Sequence, residues 1–177
     1  MKPIIHSYKG IDPVIAPDAF IAPGAAVIGD THIGARSSVW YACVLRGDEN
    51  KIRVGEDTNI QDGTVVHITR KTHGTFIGDR VTIGHSALIH GCTLEDGAFI
   101  GMKATVMDGC VVESGGMVAA GALLTPNKVV KGGQLWSGTP ARYARELSDE
   151  EKEYFAAAAG HYAEMARQFR RDLGWAE

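Results

Sequence analysis

Aliphatic residues recur every six positions along most of this chain, beginning with Ile15, Ile21, Val27, Ile33, Val39 and Leu45. After a slip of three residues the run resumes at Val54, Ile60 and Val66, and after a longer insertion at Ile77, Ile83 and Ile89. A one-residue shortening leads into Leu94, Ile100, Val106, Val112, Val118 and Leu124. An amphipathic helix repeats near 3.6 residues and a half-buried strand alternates by two, so neither sustains a period of six. Hexapeptide periodicity is the signature of a parallel β-helix. With three rungs to a turn, these eighteen rungs make six triangular coils.

Two accompanying positions agree. Glycine often follows the aliphatic residue, as at Gly34, Gly55, Gly78, Gly84 and Gly101, which suits a tight backbone. Four residues after the aliphatic stands something small, such as Ala25, Ser37, Cys43, Thr64, Ala87 or Ala104, suited to an inward position at a sharp corner. The repeat fades near Leu124-Thr125-Pro126 into an irregular return rich in glycine. Ser148 and Glu151 then have the spacing of a capping box. Tyr154, Phe155, Ala158, Tyr162, Met165, Ala166 and Phe169 follow at helical spacing, a stripe expected to pack on the prism or on a neighbour. The expectation is one domain over residues 1–177: a β-helix at about 12–125, a return at 126–147 and a C-terminal helix at 148–173.

Composition narrows the partners. A net charge of −3 over 177 residues gives no footprint for nucleic acid or an acidic membrane surface. No apolar run approaches the ~20 residues of a membrane span. The first residues lack the apolar stretch of a secretory leader. Three cysteines, without zinc-ribbon spacing, fit a reducing cytoplasm.

The candidate chemistry lies in the histidines. Val66 is the ninth rung and Ile89 the twelfth, one full coil apart. His67 and His90 directly follow them, so both side chains point outward. They should stack on adjacent coils, roughly 5 Å apart. That suits two nitrogens on one metal, and three histidines plus a water make a usual catalytic zinc site. His85 lies two places after Ile83, at a corner following another face, where it should not comfortably reach a metal held by His67 and His90. A neighbouring subunit could supply it, because a triangular prism packs naturally in threes and cyclic symmetry would create three equal interface sites. Arg46 falls on the His67 face one coil earlier, Gln61 follows Ile60, and Asp62 occupies the corner one coil before His85. His6, His32 and His161 are read as incidental, and Cys43 and Cys110 as core.

Taken together, Arg46-Gly47-Asp48-Glu49, Asn59-Ile60-Gln61-Asp62, His67 and the His85-x4-His90-Gly91 spacing resemble the gamma-class carbonic anhydrases across nearly the whole chain. The resemblance implies a left-handed parallel β-helix, although chain physics alone favours right-handed crossovers. It implies a homotrimer binding Zn2+, with Fe2+ or Co2+ able to substitute, through His67 and His90 of one chain and His85 of the next. It implies reversible hydration of CO2 to bicarbonate by a metal-bound hydroxide. By the same resemblance, Gln61, oriented by Asn59, bonds the hydroxide or the substrate. Arg46 and Asp48 form an interface pair and help define the bicarbonate site, with Asp62 beside it. Glu49 matches a proton-transfer position, and Tyr162 a helix tyrosine that reaches the active site. Met107, on the metal face, offers an apolar spot for CO2.

One departure stands out. The loop after the first histidine, Ile68 to Phe76, is short and basic where the archaeal type has a long acidic loop with a glutamate shuttle. That lowers the expected turnover and leaves His73 as a candidate relay. Two competing readings follow: an acyl-CoA-linked transferase or thioesterase on the same fold, and a catalytically weak metal-binding protein.

Overall fold

A computed structural model describes residues 2–175. The rungs close into a left-handed parallel β-helix of about seven turns, followed by one C-terminal helix. Strand pairing sorts the rungs into three faces. On the first, the histidine face, Val27, Leu45, Val66, Ile89, Val106 and Leu124 follow one another in parallel register. On the second, the loop face, the sequence is Ile33, Val54, Ile77, Leu94, Val112 and Val130. On the third, the helix face, it is Ile21, Val39, Ile60, Ile83, Ile100 and Val118. These side chains fill the interior and are almost wholly buried.

The corners explain the rest of the repeat. The small residues four places after each aliphatic are buried, Ala25, Cys43, Thr64 and Ala104 among them. A different corner position, three after the aliphatic, carries the left-handed turn. It has positive φ at Arg36, Ala42, Asp57, Gly63, Arg80, Ser86, Gly97 and Lys103. Non-glycine residues seldom adopt that region; here the corner N–H groups donate to corner carbonyls of the preceding coil, as in Arg80 N–H to Glu56 O, Ser86 N–H to Asp62 O and Lys103 N–H to His85 O, each at 2.8 Å. Where coils approach most closely a side chain is impossible: a Cβ on Gly34 would collide with the Gly55 carbonyl oxygen one coil on.

The ladder is longer than the 12–125 stretch. Ile4–His6 pairs with Ala26–Ile28 at one end, and Val129–Val130 continues the loop face at the other. The segment expected as an irregular return holds an antiparallel hairpin of Gln134–Gly138 and Ala141–Glu146. Its first strand extends the helix face through Trp136 on Val118. Val130 and Trp136 keep the six-residue spacing, hidden in the sequence by Pro126, the Gly132-Gly133 pair and a bulky indole.

The C-terminal helix spans Asp149–Asp172, with both halves of the Ser148–Glu151 capping box formed. Asp149, Glu150 and Glu151 lie at its positive end. It docks on the helix face through an aromatic cluster. Phe20 and Trp40 ring centroids are 5.2 Å apart, Trp40 meets Phe169 at 5.2 Å, and Trp40 meets Tyr162 at 5.7 Å. Further along, Phe99 stacks on Phe155 at 4.1 Å. Tyr154 departs from the expected stripe: it is 69% exposed, at the edge of the contact. Among the described residues no helix is long and apolar enough to cross a membrane.

Cys43, Cys92 and Cys110 are free and buried. Burial raises all three thiols, Cys43 to about 12. Thiol labelling with a disulfide reagent at pH 8 should therefore modify none of them in the native protein and all three in denaturant.

Candidate metal centre

Two strands and one shortened corner place the histidines. His67 ends Val65–His67 and His90 ends Leu88–His90, and the two residues are directly paired in parallel register. Their rings lie 5.2 Å apart between centroids. His67 Nδ1 faces His90 Nε2 at 3.2 Å. Two nitrogens bonded to one tetrahedral zinc at ~2.0–2.1 Å would sit about 3.3 Å apart, so the facing pair has the span a metal needs.

The remaining nitrogen of each histidine meets a carboxylate. His67 Nε2 lies 3.2 Å from Asp48 Oδ1, and His90 Nδ1 lies 2.6 Å from Asp108 Oδ1. His85 Nδ1 lies 2.9 Å from Asp62 Oδ2. A carboxylate on the second nitrogen is the usual companion of a metal-ligating histidine, since it fixes the tautomer and raises ligand basicity. Burial lowers the His67 pKa, outweighing Asp48, so its neutral, ligating form is favoured. Burial opposes ionisation of Asp48 and Asp108, yet the hydrogen bonds of His67 and His90 hold both below the ordinary carboxylate range, helped by Arg46 at Asp48 and Thr69 at Asp108. Arg46 Nη1 pairs closely with Asp48 Oδ2 in the same chain.

His85 stands elsewhere. It lies at the corner between the helix face and the histidine face, whereas His67 and His90 lie at the far edge of the histidine face. Among the described residues of one chain, no group of three or more His, Cys, Asp or Glu side chains could hold a metal ion. His85 and the His67–His90 pair thus stand on opposite edges of one face.

Gln61 belongs to the His85 edge. Its Nε2 donates to Asn59 Oδ1 at 3.1 Å, and Asn59 Nδ2 donates to Thr82 Oγ1 at 2.9 Å. All three are buried, and the chain of donors leaves Gln61 Oε1 as an acceptor. Tyr162 shares with Gln61 and His85 a groove of about 400 Å3 between the helix and the helix face. Burial raises its pKa, with the charge of Asp62 adding to the effect. Glu49 points another way: its carboxylate lies 3.3 Å from Arg70 Nε and 3.9 Å from Lys9 Nζ. These groups line a separate hollow of about 360 Å3 that also includes Asp48.

Sequence reasoning missed Asp108. It lies two places after Val106, one coil beyond the His90-Gly91 corner, and register counting could have found it. The short basic loop holds it in place. Thr69 Oγ1 donates to Asp108 Oδ2 at 2.9 Å, and Asn50 Nδ2 donates to the Thr69 carbonyl at 3.2 Å. Gly91 has φ +55° at the shortened corner, and a Cβ there would collide with the Asp108 carboxylate.

A hexapeptide-repeat β-helix carrying carboxylate-anchored histidines on its outer edges defines the class. No family model matches the chain. It is 54% identical over 160 residues to "Gamma carbonic anhydrase 1, mitochondrial" of Arabidopsis thaliana, covering 88% of this chain and 58% of that protein. It is 43% identical over 153 residues to "Probable carbonic anhydrase" of Methanocaldococcus jannaschii, covering 86% of this chain and 96% of that one. The crystal structure of a hexapeptide transferase family protein from Anaplasma phagocytophilum superposes with a TM-score of 0.91 at 49% identity, covering 94% of this chain and 98% of that one. The chain belongs to the gamma carbonic anhydrase family, whose members are metal enzymes. It spans little more than half the length of the Arabidopsis relative.

Removing the outer carboxylate should weaken metal binding. We expect Asp108→Asn to lower zinc affinity by about 10–100-fold in a chelator competition, with Thr69→Val lowering it less and Thr69→Ser near the parent.

Proposed function

We propose that this protein catalyses the metal-dependent, reversible hydration of CO2 to bicarbonate at sites shared between the subunits of a homotrimer. The observation that carries this reading is the facing pair of His67 Nδ1 and His90 Nε2 at 3.2 Å, each ring anchored by a carboxylate on its other nitrogen. His67 and His90 of one chain and His85 of the next supply three imidazole nitrogens. Such a donor set suits Zn2+, and also Fe2+ or Co2+. When bound, the metal acts as a Lewis acid that lowers the pKa of a water from 15.7 to about 7.

The placement of His85 and of the His67–His90 pair on opposite edges of one face supports the trimer. A metal that needs both edges requires a head-to-tail contact, which closes when repeated around a threefold axis. The outward side chains between those edges are mostly apolar: Val44, Val65, Leu88 and Leu123, interrupted by Thr105, with Val65 and Leu88 exposed in the single chain. Burying them between subunits would bring one chain's His85 edge to the next chain's His67–His90 edge.

The chain's own residues then divide the work. Gln61 Oε1, its amide fixed by Asn59, accepts a hydrogen bond from the O–H of the attacking oxygen and so turns that oxygen's lone pair toward the CO2 carbon. The Arg46 guanidinium, steadied by Asp48, neutralises the developing bicarbonate. Met107, one coil beyond His90, keeps a dry wall for CO2. Glu49, held by Arg70 and Lys9 yet partly open to water, passes the released proton outward. Tyr162 closes the Gln61 side. The free, buried cysteines fit a reducing compartment such as the cytoplasm.

An acyl-transfer reading is favoured by one observation, the near-complete superposition on a hexapeptide transferase family protein. Against it, the one histidine of the inserted loop, His73, rests on Thr72 Oγ1 at 3.1 Å beside Asp108 rather than standing apart.

Stopped-flow CO2 hydration on protein of known metal content is the direct test. Turnover should scale with occupancy and fall at least 100-fold in His90→Ala; full occupancy without turnover would overturn the reading in favour of a metal-binding role. Shared ligation has its own check. Mixing His67→Ala with His85→Ala chains should restore a fraction of the metal sites, and verified mixed trimers that restore none would exclude the intersubunit site.

A further inference from the structure

The loop after His67 does more than hold Asp108. Its backbone is fixed: Thr69 N–H donates to His73 O and Thr72 N–H to Arg70 O, each at 2.8 Å. Asn50 Nδ2, in the slip between Leu45 and Val54, ties the turn down through the Thr69 carbonyl. Arg70 and Lys71 are thus held by a fixed backbone on one wall of the hollow of about 360 Å3 that Lys9, Asp30, Asp48 and Glu49 also line. A water's share of liquid volume is about 30 Å3, so there is room for a small oxyanion with part of its hydration shell. The hollow lies at the corner between the histidine face and the loop face, away from the His85 edge. Asp48 also meets His67 Nε2 at 3.2 Å, so a single side chain separates the hollow from a candidate metal ligand.

Three cations and three carboxylates line the hollow, but the carboxylates already have partners. Asp30 Oδ1 lies 2.8 Å from Arg53 Nη2, Asp48 pairs closely with Arg46, and Glu49 lies 3.3 Å from Arg70 Nε and 3.9 Å from Lys9 Nζ. With Arg46 and Arg53 counted, five cations face three carboxylates, an excess of two positive charges. Lys71 is exposed and pairs with no carboxylate among the described residues. Arg70 carries five N–H donors, more than one carboxylate uses. A doubly charged anion would complete this balance, and it would rest beside Glu49.

We propose that this hollow binds a free, doubly charged oxyanion that titrates near neutrality, hydrogen phosphate being the simplest, and that the anion takes the proton from Glu49. The Glu49 O–H bond breaks, an O–H bond of dihydrogen phosphate forms, and the carboxylate is regenerated. The singly charged product is held less tightly and leaves. The transfer step rests on the hydration reading above; binding of the anion does not. In this arrangement the basic loop recruits a proton acceptor from solution.

The test titrates zinc-loaded, 15N-labelled protein with phosphate, with sulfate and with imidazole. Sulfate has the same shape and charge but accepts no proton near neutrality. The Arg70 Nε–H and Lys71 amide signals should shift with both dianions and stay in place with imidazole. The Lys9 and Arg70 side chains are each 67% exposed, so the shifts should weaken as salt rises. In stopped-flow CO2 hydration at fixed ionic strength, turnover should rise to a plateau with phosphate, and sulfate should compete with phosphate. Lys71 already has φ +63°, so Lys71→Gln and Lys71→Glu keep a non-glycine residue there. They should raise the phosphate concentration for half-maximal acceleration about threefold and about tenfold, with imidazole-supported turnover unchanged. Unmoved Arg70 and Lys71 signals would overturn the proposal, as would dianion shifts indifferent to Lys71→Glu, which would place the anion elsewhere, on the metal for example. Phosphate acceleration that never saturates, or that Lys71→Glu leaves unchanged, would overturn the transfer step. The two readings fail separately. Absence of turnover in every buffer would sink hydration while dianion binding lost in Lys71→Glu kept the site; turnover without such binding would do the reverse.

Discussion

The whole molecule depends on the closure of each triangular coil onto the one before it. Backbone N–H groups of one coil donate to carbonyls of the next, as in Gln61 N–H to Ile83 O and Gly84 N–H to Ile100 O. Interior aliphatics stack in columns, and small residues and left-handed corners make turns tight enough to close. Because every third rung returns to the same face, the residue after each aliphatic also forms a column on the outside. Side chains separated by 23 positions in sequence, such as His67 and His90, become direct neighbours. The core and the site obey one register.

The chemistry gathers where that register is relaxed. Asp48 sits in the slip between Leu45 and Val54, where one long strand spans Val44–Val54. The loop after His67 is the longer insertion, and the shortening follows His90 at Gly91. Regular corners already pair one carboxylate with a ring nitrogen, Asp62 with His85 on the next coil. The irregular segments add the Asp48–His67 and Asp108–His90 pairs on the opposite edge. The short basic loop after His67 thus has a structural use, holding Asp108 through Thr69.

The helix divides the outer surface. It covers much of one face with aromatic contacts and leaves the histidine face open, largely apolar, with His85 at one edge and His67 and His90 at the other. It also creates the groove, since a cylinder laid against a flat face leaves a channel along the line of contact. Trp40 and Phe169 fill that channel at one end; the small residues Gly84, Gly101 and Ala120 leave it empty further along.

By itself the sequence determined the rungs, their grouping in threes and the stacking of His67 on His90, because a fixed period turns sequence distance directly into position. It also placed Asp62 one coil before His85, and their contact follows. The capping box was legible for a similar reason: it joins residues three apart. Asp108 was not legible without following register across a shortened corner, and the terminal rungs Val130 and Trp136 were masked by proline, glycine and a large side chain. The exposure of Tyr154 and the groove beside Gln61 were decided only by the tertiary structure. They depend on where a helix of fixed shape comes to rest on a flat face, and no local pattern of residues encodes that distance.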